Sequence, residues 1–328
     1  MKATDLAQVR ATLWTAADKR RANSSLSVGQ FRAAILGLVF LAYAENRFEE
    51  VSPEIEAKAS TRNPSSPADY KAKSVLYIPE ASRLSYLVDL PEGEDLGKAV
   101  DEAIKGIETY NPELKDVLPR GYSRLDRATL IELLRLFAPL PQMLGGDAFG
   151  LIYEDFLSNF AAQEGKGGGE FFTPYSIVRL IVEILQPFHG RVLDPACGSG
   201  GMFVQCAKFI ERHNQDATQQ LTIFGTEKTE ETVPLAKMNL ALHGLSGDIR
   251  LANTYYEDPH NVVGAFDFVM ANPPFNVDEV RQGATGWRQA VPLWHPQTQQ
   301  CELSVDSGVL RSAGTPGPRR VCDGQQRR

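Results

Sequence analysis

The sequence is poor in cysteine. There are four in 328 residues (Cys197, Cys206, Cys301 and Cys322), and no two make a CxxC pair. That spacing supports neither a zinc site nor a disulfide framework. Histidine is equally sparse at five, and His213, His243 and His260 lack ligand spacing, so they are read as surface or capping residues. Long apolar runs are missing too. The longest, Ala33 to Ala44 with Gly37 inside it, falls short of the roughly 18 residues that a bilayer span needs. Met1 to Arg10 carries charges where a signal peptide needs an apolar stretch. There is no excess of basic charge either: 34 Lys and Arg stand against 41 Asp and Glu, a net of −7. This excludes a strongly basic nucleic-acid coat while leaving room for a local basic face. A soluble, cytoplasmic protein is expected.

What is present is an ordinary globular composition, 43% apolar and 23% charged, with enough length for two domains. The composition is not uniform. Residues 281–328 hold 7 Arg, 7 Gln and 4 Pro but no Ile, Phe, Lys, Met, Tyr or Asn. Residues 1–280 carry a net charge of −11 and the last 48 residues one of +4.

Apolar periodicity predicts a buried helix from Gln30 to about Glu50, then an exposed loop over 51–75, where Ser52, Pro53, Asn63, Pro64 and Pro67 cluster. Further helices are expected over Leu96 to Tyr110, Arg127 to Phe137 and Phe149 to Phe160. No useful strand alternation precedes residue 165, so residues 1–164 read as a helical domain. Gly165 to Gly169 lacks the GxxxxGK spacing of a phosphate loop and reads as a linker or mobile loop. Beyond it helices and strands alternate. Thr173-Pro174 caps a helix with an apolar face of Ile177, Leu180, Ile181, Ile184 and Leu185. Strands are expected at Arg191–Leu193, Leu221–Phe224, Ile249–Leu251 and Phe266–Met270, separated by helices at Met202 to His213 and Glu231 to Leu242. That order implies a doubly wound parallel sheet.

Three motifs carry chemistry. Asp194-Pro195-Ala196-Cys197-Gly198-Ser199-Gly200-Gly201 leaves the first strand and opens a helix. There glycines allow close approach of a ligand, and the first helical N–H groups are free to donate. Glu227 follows the second strand, where a carboxylate can accept from both ribose hydroxyls. Together they suit an adenosine-containing cofactor, NAD included. Asn272-Pro273-Pro274-Phe275 closes the fourth strand. The Asn272 side-chain oxygen and the Pro273 carbonyl can each accept one N–H of an exocyclic amine, favouring its pyramidal, nucleophilic form. The prolines keep the loop stiff, and Phe275 offers an aromatic face to a base swung out of its duplex.

With these residues in place, the chain resembles the modification (methylation) subunit of type I restriction–modification systems, an adenine-N6 DNA methyltransferase. The resemblance runs from about residue 13 to residue 280. It includes Leu13-Trp14, Leu36-Gly37-Leu38-Val39-Phe40-Leu41, Asn111-Pro112-Glu113-Leu114-Lys115, Tyr153-Glu154-Asp155-Phe156-Leu157 and Gly169-Glu170-Phe171-Phe172-Thr173-Pro174. It implies an α/β fold: a helical N-terminal domain, then an incomplete Rossmann-like methyltransferase domain over 165–280. It implies S-adenosyl-L-methionine as cofactor, the sulfonium activating its own methyl group so that no metal is needed. Phe172, Thr173 and Pro174 would lie against its methionine part. Asp194, Pro195 and Cys197 to Gly201 would line the methionine and sugar, Glu227 would hold the ribose, and Asn253 would sit by the adenine or be a turn residue. The partners implied are DNA, a specificity subunit that grips it, a second methylation subunit, and a restriction subunit. With phosphate affinity supplied by a partner, a net charge of −11 is compatible with DNA as substrate.

After Val280 the likeness ends. Rereading Val291 to Ser307 one nucleotide later permits a string ending NANYLWIQ, similar to what the family has after its catalytic loop. Residues 281–328 are therefore expected to be an out-of-frame, disordered tail, the alternative being a diverged natural terminus. The chain itself is expected to be poorly soluble and to show little or no methylation. Rival readings are a protein-glutamine methyltransferase, a non-catalytic assembly fragment and, more distantly, a dehydrogenase.

Overall fold

The computed structural model describes residues 28–60, 64–139, 175–261 and 265–272, positions 153, 156 and 173, and the short segments 277–278, 300–301 and 321–323. The chain divides into two units: Met1–Phe160 with Ala241–Gly244, and Ala161–Leu240 with Leu245–Arg328.

The first unit is helical. Helix α1, Val28–Lys58, buries Phe31, Leu38, Val39 and Phe40. It overruns the expected end near Glu50, so residues 51–58 are helix and not loop. Pro53 removes one backbone donor, but Ser52 Oγ donates to the Phe48 carbonyl at 2.8 Å and Ile55 is buried beyond it. A second departure from the loop expectation is α2, Pro67–Lys71, whose Tyr70 is buried and stacks on Phe48 at 4.5 Å. Apolar anchoring outweighs the local turn signals here. After α3 (Leu84–Val88) come α4, Leu96–Tyr110, and α5, Arg127–Phe137, with the bounds that periodicity predicts. Asp95 and Asp126 cap them, accepting the Lys98 and Thr129 amides at 3.0 and 2.9 Å. Of the helix expected over 149–160, Tyr153 and Phe156 are helical and buried, and the rest lies outside the described residues.

The second unit holds the sheet. Helix α6 is Tyr175–Leu185 and strand β1 is Gly190–Asp194. Then follow α7 (Gly201–Arg212), α8 (Ala217–Gln220), β2 (Leu221–Glu227), α9 (Thr232–Leu242), β3 (Gly247–Leu251) and β4 (Phe268–Ala271). One face of α6 differs from expectation. Val178, Ile181, Val182 and Leu185 are buried, whereas Leu180 and Ile184 are 60% and 49% exposed. The buried positions make one stripe at i, i+3, i+4 and i+7, and Leu180 and Ile184 fall off its side.

Strands β3, β2, β1 and β4 lie in that order, all parallel, with Leu193 of β1 beside Phe224 of β2 and Val269 of β4. The chain runs from β1 outward to β3, then returns to the other side of β1 for β4. The carboxyl ends of β1 and β4 therefore flank the point where strand order reverses, the place where open parallel sheets bind ligands. Val192, Met202, Phe203, Cys206, Phe209, Ile210, Ile223 and Met270 form the core beneath it.

Within 281–328, the described residues are two short strands. β6 (Gln300–Cys301) pairs antiparallel with β5 (Val277–Asp278), and β7 (Val321–Asp323) pairs parallel with β4. An edge strand offers unpaired N–H and C=O groups to any extended segment, so pairing here does not require strand periodicity.

Candidate functional site

The loop between β1 and α7 is built on left-handed glycines. Gly198 has φ +53° and Gly200 φ +75°, conformations that cost residues bearing a Cβ. The Gly200 amide donates to the Cys197 carbonyl at 2.8 Å and closes the turn, while the Cys197 amide donates to the Thr226 carbonyl of β2 at 3.0 Å. From α9, Asn239 Nδ2 donates to the Ser199 carbonyl at 2.9 Å. The loop is thus held on three sides. A Cβ at Gly198 or Gly201 would meet no atom within 4 Å, so the backbone there borders open space. Cys197 does not. It is buried beneath the loop, and a Cβ on Gly225 would come 2.9 Å from its sulfur. Burial pushes its thiol well above the ordinary range, and the nearby Asp194 and Glu227 add to this.

Asp194 ends β1 with 1% exposure, its Oδ1 accepting the Ala196 amide at 3.0 Å. Burial raises its carboxyl to about 7, opposed by the Ala196 amide and helped by the charge of Glu227. The unfolded chain releases this proton near the ordinary 3.8. The native state therefore holds the proton more tightly. The stabilisation is full below about pH 4 and is lost as pH rises through 7. We expect Asp194→Asn to unfold at the same urea concentration as the unaltered chain near pH 4. By pH 8 the variant should be more stable by about 2–4 kcal/mol. Equal midpoints at both pH values would contradict this.

Glu227 ends β2 with 7% exposure and both carboxylate oxygens engaged: Oε2 accepts the Gly198 amide at 2.9 Å and Oε1 the Thr229 amide at 2.8 Å. It fastens the glycine loop to the neighbouring strand. The segment after β3 closes the other side. Thr254 Oγ1 donates to the Pro195 carbonyl at 2.5 Å. Asn253 Oδ1 accepts the Tyr255 amide at 3.0 Å, a turn arrangement. At the end of β4, Asn272 Nδ2 donates to Thr173 Oγ1 at 2.7 Å.

Asp194, the glycine loop, Glu227 and Thr254 thus converge at the strand ends, and Asn272 and Thr173 meet one strand over. Phe172, Pro174, Pro273, Pro274 and Phe275 lie outside the described residues. Thr254, Thr226 and Asn239 escaped sequence reasoning because their roles are contacts to distant backbone. His213 fits the capping expectation, its Nδ1 2.8 Å from the Phe209 carbonyl at the end of α7. His260 does not. It is 8% exposed, with Nε2 3.0 Å from the Gly225 carbonyl and Nδ1 3.6 Å from Asp248. Its ring packs edge-on to Phe224, an apolar contact that draws it inside.

The sequence matches the family described as N-6 DNA Methylase over residues 144–301 and the HsdM N-terminal domain over 9–137. The MjaIX methylase subunit of Methanocaldococcus jannaschii, a type I restriction enzyme component, is 37% identical over 287 residues, covering 81% of this chain and 51% of the relative. The HindI methylase subunit of Haemophilus influenzae is 42% identical over 219 residues, 62% of this chain and 49% of that one. The chain spans about half the length of these curated relatives. Among solved structures, the type I methyltransferase subunit from Streptococcus thermophilus superposes with a TM-score of 0.66 at 20% identity, over 91% of this chain and 69% of the other. That likeness speaks for the fold. The sequence matches, running from residue 9 to residue 301, speak for descent: the chain belongs to the type I methylase-subunit family of N-6 DNA methylases.

Proposed function

We propose that the chain transfers a methyl group from S-adenosyl-L-methionine to the N6 amine of adenine in DNA. It would do so in the cytoplasm as the modification subunit of a type I restriction–modification complex. Its partners in that reading are a specificity subunit that grips the DNA, a second methylation subunit and a restriction subunit. Among the described residues, no helix is long and apolar enough to cross a membrane. The observation that carries the proposal is the placement of Asn272 at the carboxyl end of β4, one strand from Asp194 and the glycine loop. A cofactor site and an amine-accepting side chain thereby share the switch point of one sheet.

The open space at Gly198 and Gly201 and the buried Glu227 carboxylate suit an adenosyl group. In this reading Asp194, Pro195 and Cys197 to Gly201 form the methionine and sugar cradle, and Phe172, Thr173 and Pro174 close it. Glu227 holds the ribose, and Asn253 borders the adenine ring. When bound, the cofactor supplies an electrophilic methyl carbon. Asn272 and Pro273 draw the two amine protons onto fixed oxygens, so the nitrogen lone pair leaves conjugation and faces that carbon. Pro274 stiffens the loop and Phe275 stacks on the base.

Titration calorimetry on the purified chain with S-adenosylmethionine and, separately, NAD tests the cofactor. Heat is expected with the first alone, and binding of NAD would overturn the reading. Labelled-methyl transfer, with a specificity subunit present and the chain in excess over DNA so that slow chemistry is read directly, tests the substrate. Label is expected in N6-methyladenine; label in protein glutamine would overturn it.

A further inference from the structure

Thr173 and Asn272 stand 99 positions apart, yet Asn272 Nδ2 lies 2.7 Å from Thr173 Oγ1. The contact joins the residue just ahead of α6 to the end of β4. A primary amide has a donor end and an acceptor end, and a half-turn about its last torsion exchanges them. An exocyclic amine brings only N–H groups towards the site. If the NH2 end of Asn272 faced it, donor would meet donor and the amine would be repelled. The acceptor end must face it instead, which sends the NH2 end to whatever lies behind. Behind it is a hydroxyl, a group that can accept as readily as it donates. We infer that Thr173 is a positioning residue: its Oγ1 accepts the Asn272 side-chain N–H and thereby sets the amide with Oδ1 towards the target amine. The inference rests on the amine-methylation reading above. It assigns to Thr173 a task distinct from lying against the cofactor, since it acts on the substrate-side amide through its side-chain oxygen.

Thr173→Val keeps the shape and removes the acceptor, and Thr173→Ser restores it. In the full chain labelled with 15N at asparagine, the Asn272 side-chain NH2 pair is the one that disappears in Asn272→Asp. We expect one proton of that pair to lie downfield and exchange slowly with water in the unaltered chain. In Thr173→Val it should move upfield and exchange about tenfold faster, and in Thr173→Ser it should return, as loss and recovery of one neutral hydrogen bond require. A pair that ignores Thr173→Val overturns the inference. In the single-turnover assay with a specificity subunit, the methyl-transfer rate should fall about tenfold in Thr173→Val and recover in Thr173→Ser. The S-adenosylmethionine affinity should stay within about twofold. A rate and an affinity that fall together would mark a cofactor contact and overturn it. Should the parent chain transfer no methyl to DNA while the amide pair still responds, the methylation reading fails and the amide assignment stands.

Discussion

Replacing Glu227 with alanine is expected to weaken S-adenosylmethionine binding by at least about a hundredfold, read by calorimetry on the purified chain. Two losses combine. The carboxylate accepts the Gly198 and Thr229 amides at 2.9 and 2.8 Å in a setting that is 7% exposed. Its removal leaves two buried donors without an acceptor, at about 1–3 kcal/mol each. Part of that cost is released as disorder in the glycine loop, whose open side at Gly198 is the proposed cradle. The ribose hydroxyls lose a charged acceptor as well, and hydrogen bonds to charged groups contribute about 1.5–3 kcal/mol apiece. Glu227→Gln separates the two effects. It keeps one accepting oxygen but turns an NH2 towards the second backbone donor, so we expect weakened binding and a lowered unfolding midpoint together. Asp194→Asn serves as the comparison, since it alters a buried carboxyl without disturbing either Glu227 contact. Glu227→Ala binding S-adenosylmethionine within about threefold of the unaltered chain would remove Glu227 from the cofactor site.

Where the sequence was legible, local chemistry decided the structure. Helices α4 and α5 begin and end where apolar spacing puts them because an aspartate stands at each N-cap and nothing tertiary competes. The four parallel strands were legible for a similar reason: short apolar runs between helices of ordinary length have few other ways to pack. Legibility failed where one level of structure overrode another. Pro53 and its polar neighbours read as a loop, yet the buried Ile55 and the Phe48–Tyr70 stack carry the helix through. Leu180 and Ile184 count as apolar in any periodicity, but a face three residues wide on α6 has no room for them. At the site, residue types were readable and partners were not. A glutamate after the second strand announces a ribose acceptor, but nothing in its neighbours announces that both its oxygens hold backbone amides. Likewise Thr173 could be read as a helix cap and Asn272 as an amine acceptor, while their mutual contact spans 99 positions and exists only in the folded unit. His260 was misplaced for the same reason, its burial depending on Phe224 and the Gly225 carbonyl across the sheet.

The largest effect on rate is expected at Asn272. With the chain and a specificity subunit in excess over DNA, Asn272→Ala should lower the single-turnover rate of methyl transfer by about a thousandfold, comparable to deleting a preorganised donor from an oxyanion hole. The argument turns on nucleophilicity. The adenine amine shares its lone pair with the ring, and an acceptor helps only if it sits where the amine protons go as the nitrogen becomes pyramidal. An oxygen on a side chain anchored by Thr173 at 2.7 Å meets that condition before the reaction starts and needs no reorganisation during it. A water admitted by alanine can accept the same protons, but it is not held in place, and its orientation must be found in each turnover. S-adenosylmethionine affinity should stay near that of the parent, because Asn272 faces the amine and Glu227 the ribose. That pairing of a collapsed rate with an intact cofactor affinity is the opposite of the Glu227→Ala result. Asn272→Asp sharpens the distinction: a carboxylate keeps an acceptor for the amine and can take a hydrogen bond from the Thr173 hydroxyl. Its rate should therefore lie between those of the parent and the alanine variant. A rate in Asn272→Ala within about tenfold of the parent would mean that the amine is activated elsewhere.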